Sequence, residues 1–70
     1  MLAKYLWIKR RVNPQLGTYY VPMGRISVKK ALEYEEKTSY GYNYMERYST
    51  EQEYEKRILE LRINGERVRD

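Results

Sequence analysis

Residues 40–48 carry the clearest periodic signal in the chain. Tyr40, Tyr42, Tyr44 and Tyr48 fall on one side with Glu46, while Asn43, Met45 and Arg47 fall on the other. Strand side chains alternate across the pleat, so this spacing predicts a strand. Earlier, residues 2–12 are rich in aromatic and branched side chains and run into Asn13-Pro14-Gln15-Leu16-Gly17. With Thr18-Tyr19-Tyr20-Val21 beyond that turn-forming cluster, the pattern predicts a β-hairpin with a loop of about five residues. Pro22 donates no backbone hydrogen bond, which places it at a strand end or on an edge.

Two helices follow from changes in period and from capping residues. Ser27 is placed to cap a helix over about 28–37, in which Ile26, Val28, Ala31 and Leu32 offer a short apolar stripe. Lys29 and Lys30 would then lie at its positive end and Glu33, Glu35 and Glu36 towards its negative end, against the helix dipole. Thr50-Glu51-Gln52-Glu53 forms a capping box for a second helix to about Ile63, stopped by Gly65, with Glu53 and Arg57 spaced for an i,i+4 pair. On its wheel Tyr54, Ile58 and Leu61 share one side, and Leu59 and Ile63 lie well away from them. A rival reading makes 59–63 a strand entering an Asn64-Gly65 hairpin turn, with few residues left to pair with it. The expected architecture is a single small α+β domain over 1–70, β-β-α-β-α, with a three-stranded, mainly antiparallel sheet and two helices. No linker or repeat divides it.

Composition narrows the chemistry. Seventy residues without cysteine must fold by packing alone, near the lower size limit for doing so, or by help from an oligomer interface. The large side chains are nine Tyr and one Trp with no Phe, so most aromatic rings bring a hydroxyl that needs water or a partner. Absence of His and Cys removes the commonest general base, metal ligand and nucleophile. The one Asp is Asp70. Glu35-Glu36-Lys37 has no upstream Asp with which to build a two-carboxylate metal site. The expectation is a non-enzymatic protein with no metal and no cofactor. No stretch approaches the roughly 18 apolar residues of a membrane span, and residues 1–5 show no apolar leader core. A soluble, cytoplasmic protein is expected.

Charge is segregated along the chain. Residues 1–32 hold seven Lys and Arg and no acid; the remaining 38 hold the other seven and all ten acids. Lys9, Arg10, Arg11, Arg25, Lys29 and Lys30, with Trp7, Tyr19 and Tyr20, are the candidate partner-binding residues, because Tyr, Trp and Arg dominate interface hot spots. Arg10, Arg11, Arg25, Lys29 and Lys30 are expected to converge on one cationic surface, and the start of the first helix around Ser27 is a candidate anion pocket. The first functional expectation is a binding protein of the kind used by viral or mobile-element accessory systems, modulating or inhibiting a host protein or nucleoprotein. The alternative is single-stranded nucleic-acid binding, with Tyr19, Tyr20 or Tyr48 stacking on bases. Leu59, Ile63 and Val68 are candidate homodimer contacts. Tyr42 and Tyr44 are expected to pack beneath the helices.

Overall fold

In the computed structural model, which describes residues 3–15, 17–39 and 41–69, a long hairpin forms the centre of the molecule. Its strands are β1 (Tyr5–Asn13) and β2 (Gly17–Ile26), followed by α1 (Val28–Leu32), β3 (Glu36–Thr38), β4 (Gly41–Tyr48), α2 (Glu51–Ile63) and β5 (Arg67–Val68). The sheet order is β3-β4-β1-β2-β5. Adjacent pairs are antiparallel except β5, which runs parallel to β2. The α+β class and both helices agree with the sequence pattern, whereas the sheet has five strands and is mixed rather than three-stranded. Tyr40 and Leu16 lie outside the described residues.

Central β1 explains the run Leu6-Trp7-Ile8, buried at all three positions. A strand sandwiched on both faces has no solvent side, so strict alternation disappears. Ile8 packs with Tyr20 and Leu61 beneath α2, joined by Tyr48, Tyr54, Ile58 and Val68. Trp7 packs on the opposite face with Ala31 and Met45, joined by Tyr5, Met23, Ile26 and Tyr34, and its indole N–H donates to the Ile26 carbonyl at 3.1 Å.

The hairpin register sets Asn13 against Gly17, which leaves a three-residue loop in place of five. Asn13 Oδ1 accepts from Gln15 N at 2.8 Å and tightens that turn. Between Trp7 and Ile8 the register slips, pairing Trp7 with Gly24 and Ile8 with Pro22, so Met23 is an extra residue. Gly24 takes the positive φ of 71° that the bulge needs. Pro22 sits within β2, on the stretch that β5 does not reach, where its missing N–H costs no ladder bond.

The first helix is five residues long rather than ten. Ser27 caps it, accepting from Lys30 N at 3.2 Å, but only Ala31 is buried, and Val28 and Leu32 face solvent. Successive i→i+3 bonds from Glu33, Tyr34 and Glu35 wind it down, and residues 36–38 pair with β4 instead. The longer α2 begins as expected: Thr50 Oγ1 accepts from Glu53 N, and Glu51 and Glu53 lie in the favourable first turn. No helix among the described residues is long and apolar enough to cross a membrane.

A cationic half-face as the candidate functional site

The strand register lines up one row of side chains across the face of the sheet opposite α2. Glu36 pairs with Asn43, Arg11 with Tyr19, and Tyr19 with Arg67. The gap between β4 and β1 is closed by buried Asn43, whose Oδ1 accepts from Val12 N at 2.7 Å. One step along the strands, Met45, Lys9 and Val21 form the next row. The short α1 covers this face only at the Trp7–Met45 end. Over the rest lie Lys9, Arg11, Arg67 and Arg69, with Glu36 as the acid of that row.

These cations rest on aromatic rings. Arg69 lies 5.2 Å from the Tyr19 ring centroid and Lys9 lies 4.9 Å from that of Tyr34. Arg11 reaches Glu36 only at 3.9 Å, with Glu36 exposed and Arg11 partly so, and the pair is a weak surface contact. The Lys9 pKa lies below its ordinary value, chiefly as an effect of partial burial, with the neighbouring Arg11 charge adding to it. Tyr19, Arg67, Val68 and Arg69 enclose a concavity of about 350 Å³ at the β5 end of this surface.

The opposite face is closed by a polar network. Glu46 accepts from Arg57 through Nε at 3.0 Å and Nη2 at 3.2 Å, and from the Tyr48 hydroxyl at 2.7 Å. Arg57 also donates to Glu60 at 3.2 Å. Burial alone would raise the Glu46 pKa, but the hydrogen bonds from Arg57 and Tyr48 outweigh it and the net shift is downward. Tyr48 moves up, through burial and its bond to Glu46. Satisfied internally, these groups hold α2 on the sheet and offer no free acid or base.

Three expected site residues, Lys9, Arg11 and Tyr19, thus come together. The wider convergence with Arg10, Arg25, Lys29 and Lys30 does not occur. Alternation turns Arg10 to the α2 side, where its Nη1 donates to the Tyr42 carbonyl at 3.3 Å and its guanidinium lies 5.0 Å from the Tyr44 ring. Arg25 pairs with Leu6, five strand positions or roughly 17 Å from Arg11, and donates weakly to the carbonyls of Ala3 and Lys4. Lys29 and Lys30 are exposed on α1.

Trp7 and Tyr20 are core residues at 4% and 8% exposure, so neither meets a partner at the surface. Tyr48 is half-buried edge-to-face against Tyr54 and hydrogen-bonded to Glu46, which removes it as a base platform. Tyr42 is exposed rather than packed beneath a helix, and Tyr44 is half-buried. Leu59 and Ile63 are exposed, whereas Val68 turns into the α2 core. Ser27 spends its hydroxyl on Lys30 N in a helix too short to build an anion pocket.

Sequence reasoning missed Arg67 and Arg69. The signal was the period-two set Arg67-Val68-Arg69 just after Asn64-Gly65, too short to read as a strand until β2 is seen to receive it. No group of three or more His, Cys, Asp or Glu able to hold a metal occurs among the described residues. Compared with known proteins, the chain matches no family model, and no curated protein or solved structure is significantly similar to it.

Proposed function

We propose that the protein is a non-enzymatic binding module that docks the acidic surface of another protein on the half-face formed by Lys9, Arg11, Tyr19, Arg67 and Arg69. The observation that carries this reading is the pairing of cations with rings: Arg69 on Tyr19 and Lys9 on Tyr34. A guanidinium held on an aromatic ring loses less conformational freedom on binding than a free one, and Arg and Tyr are the residues that anchor interfaces. Occupying an acidic surface in this way would block or redirect whatever else that surface binds.

The same rings bear on the nucleic-acid alternative. Base stacking needs an open ring face, and Tyr19, Tyr34 and Tyr44 each have a cation over the ring. Exposed Tyr42 lies on the opposite face of the sheet, so on the cationic half-face charge recognition without open rings fits a carboxylate-rich protein surface better than unpaired bases.

Affinity capture before and after nuclease treatment tests the proposal, using the native chain, the triple variant Arg11→Ala/Arg67→Ala/Arg69→Ala and the control Arg25→Ala. A protein partner that survives nuclease, is retained by the control and is lost by the triple variant is the expected result. Loss of all capture after nuclease would replace the proposal with the nucleic-acid reading. A partner held equally well by the triple variant would place the interface elsewhere.

A further inference from the structure

The outer side of α2 carries the most exposed large apolar residues of the helix, Leu59 at 58% and Ile63 at 73%. They line a shallow groove of about 200 Å³ together with Lys56 and Glu60. Positions 52, 56, 59 and 63 follow i, i+4, i+7, i+11 spacing and form one stripe. That stripe faces away from Tyr54, Ile58 and Leu61, which hold the inner side of α2 against the sheet.

We infer that this stripe is a self-association surface, on which α2 of a second copy of this chain packs antiparallel about a two-fold axis. The argument is the placement of charge around the apolar pair. An axis lying between the two helices level with residue 58, perpendicular to them and in the plane of contact, sets Lys56 of each copy against Glu60 of the other. It also brings the two Leu59 side chains together at the centre. Glu55 and Arg62 repeat the same acid-to-base opposition on the other flank of the stripe. A single helix therefore carries both halves of its own complementary pattern, as a two-fold interface requires. Glu60 keeps its side chain 53% exposed while it accepts from Arg57, so it can meet a second cation.

This association is independent of the proposed partner-binding face. Because α2 lies on the opposite side of the sheet from Lys9, Arg11 and Tyr19, pairing through α2 would leave the two cationic half-faces pointing outward on opposite sides. The dimer would be bivalent. One helix face is smaller than the roughly 800 Å² per partner of a standard stable interface, so the dimer is expected to be weak and concentration-dependent.

Sedimentation equilibrium of the native chain between about 10 µM and 1 mM is expected to show a monomer–dimer equilibrium. Such a range brackets the weak association that a sub-standard interface supports. Leu59→Glu/Ile63→Glu should be monomeric throughout while buried Trp7 keeps its native emission, showing that the fold survives. Lys56→Glu, which sets like charges face to face, should weaken association about tenfold, in keeping with the cost of an unfavourable close charge pair. Lys56→Glu/Glu60→Lys should restore it. A monomeric mass for the native chain up to 1 mM would overturn the inference, whatever else the stripe binds. Association that Lys56→Glu leaves unchanged, or that the charge swap does not restore, would overturn the two-fold geometry.

Discussion

Glu46 is the residue at which several demands meet. It sits on β4 with its side chain 14% exposed, and it is held by two Arg57 nitrogens and the Tyr48 hydroxyl. Those hydrogen bonds favour the carboxylate, so the folded-state pKa lies below that of the unfolded chain. The linkage sign follows: the group contributes stability above about pH 4.3, the ordinary Glu value, and that contribution is lost as pH falls through the folded pKa. Glu46→Gln keeps the shape but removes the charge, leaving Arg57 only partly paired. It should cost about 2–3 kcal/mol at pH 7, less than the roughly 3–5 kcal/mol of breaking a fully buried ion pair, because the Arg57 side chain stays 27% exposed and keeps Glu60. Urea denaturation at pH 7 and pH 3 is expected to show the native chain losing more stability on acidification than Glu46→Gln. Equal losses would mean that Glu46 titrates as an ordinary surface glutamate. The same residue shows what spacing does not reveal: i,i+4 spacing points Arg57 to Glu53, whereas its guanidinium bonds across to Glu46 on the sheet and to Glu60 one turn on.

At the level of elements, length decided what could be read in advance. The β1–β2 hairpin, β4 and α2 each span eight residues or more, and each announces itself through period or caps. By contrast β3 and β5 have three and two residues, too few for any periodicity, and exist because β4 and β2 offer them an edge. The short α1 was overextended because its acidic tail has good helix formers but no apolar row to bury. What makes β5 reachable is the end of α2. Gly65 adopts φ 79°, with Gly65 N donating to the Arg62 carbonyl and Glu66 N to that of Leu61, both bonds of a Schellman cap. The chain then reverses, and Arg69 N donates to the Tyr20 carbonyl at 2.8 Å. Gly65→Ala should therefore cost about 1 kcal/mol from the left-handed backbone alone. It should also raise hydrogen exchange at the Arg69 amide more than at amides in the middle of α2. If exchange at Arg69 stayed unchanged, the cap would not be what directs β5.

Across the whole molecule, the charge partition seen along the sequence becomes a partition between faces, though not between the same residues. The basic first half divides over both sides of the sheet because a strand alternates, and Arg67 and Arg69 from the acidic half complete the cationic patch through β5. This is why the site was only half legible: Lys9, Arg11 and Tyr19 are visible in one hairpin, but their partners arrive by a parallel pairing that no local pattern encodes. The molecule is thin, 37 × 28 × 14 Å between its Cα extremes, and has two small cores on opposite faces of one sheet. Such an arrangement could melt one face at a time, exposing the cationic side while α2 stays docked. The link between faces is β1, which sends Trp7 into one core and Ile8 into the other from adjacent positions. Loss of either core would leave β1 exposed on one face with its apolar surface in water, and at this size neither core is expected to hold the sheet alone. The two should then unfold together. Trp7 is the only tryptophan and reports the α1-side core, while far-UV circular dichroism at 222 nm is dominated by α2. Their urea midpoints are expected to coincide, and Ile8→Ala, costing about 2–4 kcal/mol in a large-to-small core substitution, should lower both equally although Ile8 lies on the far side from Trp7. A Trp7 midpoint that stayed in place while the helical signal moved would show that the cationic face folds independently of the helix behind it.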